Sequence, residues 1–208
     1  IRLSHLEIEE AGSLSVNPKI VLSGNATRYG AQLDSIAYTD LYSVLEGSAD
    51  LMLNINENVF DSVGLMLNLK NPLNEESLVL DGSISNPEHL PLTKENLLER
   101  IYMNLQMQIK NFSLNRFASQ KNDNNMISGM IFTSGTIEHP YVSLAVDSVS
   151  MLFAANMLYG SGNVILEDRE LSINDLNISF SGMKFGNIQA RASLTDMTLD
   201  ATGDFDYS

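Results

Sequence analysis

The chain has 208 residues, 44% of them hydrophobic, enough for one sizeable domain or for a segment of a repeat array. Its net charge of −14, from 12 Lys and Arg against 26 Asp and Glu, argues against a phosphate-binding surface, hence against nucleic acid, and against a helix adsorbed on anionic lipid. The absence of Cys excludes thiolate metal sites, cysteine nucleophiles and disulfide staples, and no apolar run approaches the ~20 residues of a transmembrane helix.

The chain opens on "IRLSHLEIEE" and closes on "DATGDFDYS", both alternating like strands, without an initiator Met or a polar tail. It therefore reads as a piece of a longer protein. At Asp34–Asn54 stands "DSIAYTDLYSVLEGSADLMLN"; at an offset of 113 residues, Asp147–Glu167, stands "DSVSMLFAANMLYGSGNVILE". Six of the 21 positions are identical without a gap: Asp34, Ser35, Leu45, Gly47, Ser48 and Leu53 each meet their like. This internal repeat, 34–54 and 147–167, reads as one strand–turn–strand phrase written twice within a single 1–208 unit.

Most of the remaining sequence alternates apolar and polar residues with period two, the pattern of a sheet with one wet and one dry face. "DLMLNIN" places Leu51, Leu53 and Ile55 on one side, and "GLMLNLK" does the same with Leu65, Leu67 and Leu69. The exception is "LPLTKENLLERIYMNLQ", where Leu97, Leu98, Ile101 and Leu105 fall at helical spacing behind Thr93 as N-cap. The spacing predicts a short amphipathic helix near 94–103, covering an end of the dry face. "ASQKNDNN" at 118–125 reads as a mobile polar loop. Alternation then resumes with Val142, Leu144 and Val146, and with Val164 and Leu166. "LSINDLNISF" gives Leu171 and Ile173, slips by one residue at Asn174–Asp175, and continues with Leu176, Ile178 and Phe180; such a slip predicts a bulge. Ile188, Ala190 and Leu194, then Met197, Leu199 and Phe205, complete the apolar set. Ser, Asn, Asp and Thr dominate the opposite positions. Turn signals recur every 8–14 residues, as in an all-β sandwich, barrel or stacked array.

Nothing in the sequence argues for catalysis. His5, His89 and His139 are far apart and outside any metal-ligand spacing, and no GxSxG elbow is present. "GSGN" at 160–163 lacks the helix and Lys of a phosphate loop and reads as a tight turn. Asp204 and Asp206 share one strand face, too few carboxylates for calcium. The expectation is a non-enzyme with no metal and no cofactor, whose informative feature is a long aliphatic β surface.

Residues 126–207, with "ISGMIFTSGTIEHPYVSLAVDSVSM" followed by "GSGNVILEDRELSINDLNISFSGMKFGNIQARASLTDMTLDATGDF", resemble the TamB family of AsmA-like proteins. The shared pattern is Gly135-Thr136, Pro140 opening a strand, a Gly-flanked turn, and an "l-x-i-x-x-l-x-i" strand. The resemblance implies an elongated, mostly antiparallel sheet curled lengthwise into a taco-like trough. Its apolar interior would be lined by the residues named above. It further implies a periplasmic segment anchored in the inner membrane by another part of the protein. Such a segment would hold phospholipid acyl chains, with neighbouring repeats and an outer-membrane barrel as partners. The alternatives are a passive β scaffold or adhesin-like module with a filled core, and a chaperone that donates strand edges to outer-membrane proteins.

Overall fold

The computed structural model describes residues 2–9, 19–27, 29–39, 43–57, 59–93, 95–116, 122–153, 155–181, 183–193 and 195–207. Thirteen strands follow one another: β1 Arg2–Glu9, β2 Lys19–Thr27, β3 Gly30–Thr39, β4 Val44–Asn56, β5 Val59–Lys70, β6 Ser77–Ser85, β7 Tyr102–Ser113, β8 Met126–Thr136, β9 Pro140–Phe153, β10 Asn156–Glu167, β11 Glu170–Phe180, β12 Met183–Ser193 and β13 Thr198–Tyr207. All lie in one sheet in sequence order, each antiparallel to the next, so the topology is an uninterrupted meander with β1 and β13 at its edges. Each strand packs along its length against the strands before and after it.

The curled, taco-like trough is therefore not the fold of this chain. The sheet is a single open layer: its ends do not meet, and among the described residues no strand lies across another as two walls of a groove or a sandwich would. A meander of hairpins needs only local pairings. Period-two alternation specifies that one face is apolar, and it carries no information on whether the sheet folds over that face.

Long strands stay in register through bulges. β3 and β4 pair Leu33 with Ala49 and Ile36 with Gly47, so Asp34 and Ser35 together oppose Ser48. β9 and β10 pair Val146 with Gly162 and Val149 with Gly160, so Asp147 and Ser148 oppose Ser161. These positions correspond one for one at the 113-residue offset, and four of the six repeated identities are the bulge residues or their neighbours. In β11, the slip at Asn174–Asp175 is a register shift against β12, with Asp175 at φ 53°. Asp168 and Arg169, both at positive φ (47° and 67°), close the two-residue turn between β10 and β11 in the sense that suits strand twist.

The only helices described are one turn each. α1 spans Leu97–Arg100 rather than the whole of 94–103, and Asn96, not Thr93, is its N-cap residue. Thr93 instead exchanges hydrogen bonds with Asn96: its N–H donates to Asn96 Oδ1 (2.7 Å) and its Oγ1 accepts from Asn96 N–H (3.3 Å). Ile101 is buried, whereas Leu97 and Leu98 remain exposed. The helix is tied to the β8–β9 turn through carbonyls at its C-terminal end. It receives backbone hydrogen bonds from the β8–β9 turn, Glu138 N to Leu98 O and Ile137 N to Ile101 O. A 3-10 turn, η1 Leu114–Arg116, follows β7.

Of the polar stretch expected to be a mobile loop, 118–121 lie outside the described residues, and the remainder is a bonded turn. Asn125, fully buried, donates through Nδ2 to Asn115 Oδ1 (2.9 Å) and accepts at Oδ1 from Leu152 N–H (2.6 Å). Asn86, equally buried, donates to the carbonyls of Phe60 and Leu90. Glu76 accepts from Asn71 Nδ2 and from Ser113 N–H. The most deeply buried side chains thus clamp loops to strand ends, as most buried polar groups find partners; Asn86 Oδ1 is an exception, with no hydrogen-bond partner. Buried hydrophobic residues are few: Ile36, Leu45 and Leu69 form one cluster, with Leu22, Leu33, Tyr38, Ala49, Leu67 and Phe112 against it.

Candidate interaction face

Directly opposed residues of an antiparallel sheet share a face. The register therefore assembles the apolar positions into rows running across the strands. One row reads Ala31, Leu51, Leu65, Gly82, Leu105, Thr133, Val142, Leu166, Leu171, Ala192, Leu199 from β3 to β13. The next reads Leu33, Ala49, Leu67, Leu80, Met107, Ile131, Leu144, Val164, Ile173, Ala190, Ala201. A third runs through Ile36, Gly47, Leu69, Leu78, Ile109, Gly129, Val146 and Gly162. Leu53 extends the surface on the other side with Val63, Ile84 and Met103, and Ile55 lies two residues beyond it on the same strand. No Asp, Glu, Lys or Arg occupies any of these rows.

Beyond the bulges the same face continues. Leu176 opposes Ile188, and Ile178 opposes Phe185, which opposes Phe205. Phe180 meets Phe153 edge-on with ring centroids 6.0 Å apart, and Phe185 tilts on Phe205 at 5.0 Å. Bulges thus do what the slip in "LSINDLNISF" predicts: they insert a residue while returning the apolar set to one side.

The residues expected to line a groove thus share a face, but not a groove. Leu69 is buried, most others are half-buried by their neighbours within the sheet, and Leu51, Ile55, Leu199 and Phe205 are exposed, Leu199 to 71%. Leu194 lies outside the described residues. Met197 belongs to no row: it sits at φ 55° in the turn before β13, 89% exposed. It follows the alternation of "MTLDATGDFDY" only on paper, because β13 begins after it, at Thr198.

The opposite face is less uniformly polar than its Ser, Asn, Asp and Thr content suggests. Met52, Met66, Met130, Phe132, Tyr141 and Ile165 stand there too, opposed to Gly64, Asp81, Gln108, Ser143, Ser134 and Ser172. Phe132 and Tyr141 meet edge-on at 6.1 Å. Charge is concentrated on this face and in the turns. Arg191 opposes Asp200 and Lys184 opposes Asp206 between β12 and β13, while Asn187 Nδ2 donates to Asp204 Oδ2 at 2.9 Å. In the turn after β5, Lys110 Nζ approaches Glu75 Oε2 at 2.7 Å, and this hydrogen bond, then the lysine charge, hold the Glu75 carboxyl below the usual carboxylate range. His89 Nδ1 lies 2.6 Å from Asp61 Oδ1, and His139 Nδ1 3.6 Å from Asp168 Oδ1.

Among the described residues no three His, Asp or Glu gather as a metal site, and no helix is long and apolar enough to cross a membrane, which says nothing of membrane β-barrels. Sequence reasoning missed the buried clamps Asn71, Glu76, Asn86, Asn115 and Asn125. Their only sequence signal is Asn recurring at strand ends, a general turn preference. Comparison with protein-family models, with curated proteins and with solved structures finds no match, so the resemblance to the TamB family gains no support there.

Proposed function

We propose that this chain is a β scaffold: a structural, non-catalytic sheet that holds an extended apolar face ready for a partner. The supporting observation is the set of charge-free rows crossing β3 to β13, with no second layer over them among the described residues. A sheet with one apolar face is stable when that face is laid against something else. The chain supplies the rigid template through continuous strand pairing, and it separates that template from its acidic exterior. A filled-core version of the scaffold is not favoured, since the buried hydrophobic cluster is confined to β3, β4 and β5.

The test is circular dichroism and thermal melting of Leu144→Asp and Ile178→Asp, with organic extraction of the wild-type protein. On an uncovered face both variants keep the β spectrum and a cooperative melt. Loss of the fold in both, in a protein that sediments as a monomer, would mean a filled core, since an unpaired buried charge costs several kcal/mol. Stoichiometric phospholipid in the extract would replace the scaffold reading with acyl-chain binding.

A further inference from the structure

The accessible surface of the chain is 13349 Å². A compact monomer of this mass exposes about 9,600 Å² by the usual scaling of surface with mass, so the excess is about 3,700 Å². A single open layer generates such an excess because both faces of the sheet meet solvent. The apolar face makes up one side of it, and contiguous apolar patches beyond about 300–600 Å² are uncommon on monomers and mark interaction surfaces.

Resting on the scaffold reading, we infer that the partner covering this face is a second copy of the same chain, packed face to face as a two-layer sandwich. Three observations select this occupant. The available area suffices: an obligate homodimer buries about 2,000–5,000 Å² in total, or about 1,000–2,500 Å² per copy, and one face's half of the excess is about 1,850 Å². The rows are free of charge, so apposing two of them desolvates no ion, while the acidic side chains of a protein with net charge −14 stay on the two outer surfaces. A competing self-contact, β13 against β13 at one of the two free edges, would in antiparallel continuation of the sheet set Asp200 opposite the Asp204 or Asp206 of the copy in the central registers, and like charges directly opposed are destabilising.

The chain has no Cys, so a single introduced thiol reports unambiguously on its surroundings. Leu144→Cys places one on the apolar face and Ile165→Cys one on the opposite face, both mild changes. Sedimentation velocity across concentration gives the mass, and maleimide labelling gives the exposure of each thiol. The inference expects a dimer in which Leu144→Cys labels at least tenfold more slowly than Ile165→Cys, with the protection lost on dilution. A monomer with both thiols reactive overturns the dimer and leaves the scaffold standing. Protection of Leu144→Cys in a lipid-free monomer overturns the scaffold as well, because the chain would then cover its own face. Protection accompanied by extractable lipid assigns the face to acyl chains. A dimer with Leu144→Cys fully reactive means that the copies join elsewhere, and the inference falls.

Discussion

The hairpins β3–β4 and β9–β10 are the same local structure built twice, and they end up in different surroundings. Asp34–Ser35 and Asp147–Ser148 form equivalent bulges, Gly47 and Gly160 sit at equivalent positions, and Tyr38–Leu45 pairs as Met151–Leu158 does. Yet Leu45 is only 3% exposed, in a cluster with Ile36 and Leu69, whereas Leu158 is half-buried. The bulge answers to local sequence: the same Asp-Ser pair supplies the extra residue in both hairpins. Burial answers to what the next strands bring. Behind β4 come Leu67 and Leu69, and Phe112 also reaches this cluster; beside β10 comes β11, which is itself bulged.

The comparison breaks most visibly at the aligned leucines. Leu45→Ala should destabilise by about 2–5 kcal/mol, the range for deleting a buried Leu, and Leu158→Ala by about 1 kcal/mol, since a half-exposed side chain has less to lose. Urea denaturation of the two variants checks this, and equal losses would mean that the hairpins share an environment after all. Next in size is the aligned glycine pair. A Cβ at Gly47 would run into the backbone carbonyl of Asn68 on β5, whereas at Gly160 the nearest atom is the Val149 Cγ1, 3.0 Å away, a methyl that can turn aside. Gly47→Ala should therefore cost about 1–3 kcal/mol or more, as overpacking does, and Gly160→Ala under about 1 kcal/mol. Thermal melts of the pair would sharpen the distinction between a repeated strand phrase and a repeated environment.

The smallest effect lies between the two hairpins, at the exposed Glu75–Lys110 contact bridging the β5–β6 turn and β7. Because the folded-state pKa of Glu75 is lowered, any stability it adds is present above the unfolded value and disappears as pH falls through the folded one. In Lys110→Met the Glu75 carboxyl should titrate back in the ordinary carboxylate range by NMR, with no measurable change in Tm, since exposed ion pairs contribute little. A clear loss of stability would show that the middle of the sheet relies on charge as the outer hairpins do not.

Alternation made the sheet legible. Leu51, Leu53, Leu65, Leu67, Val142, Leu144, Leu171 and Ile173 fall on one face because side chains in a strand point to alternate sides, and the slip at Asn174–Asp175 announced its bulge by interrupting that period. Met197 was misread because a two-residue period cannot tell a strand from the turn that leads into it. The helix was overextended because Ile101 satisfies helical spacing and strand entry equally, and its burial beside the β8–β9 turn was decided by long-range contacts.

What the sequence by itself determined is the succession of β-strands, the division of residues between faces, the bulge at Asn174–Asp175, and the strand–turn–strand phrase written twice. Each depends on neighbours in sequence or on the adjacent strand, and short-range stereochemistry suffices to specify them. Only the tertiary structure decided that the sheet stays open, that Ile36, Leu45 and Leu69 bury one another across β3–β5, and that buried Asn and Glu clamp the loops. Those outcomes depend on how thirteen strands stack over tens of ångströms, and a pattern of period two is blind to that scale because every curvature of the sheet satisfies it equally.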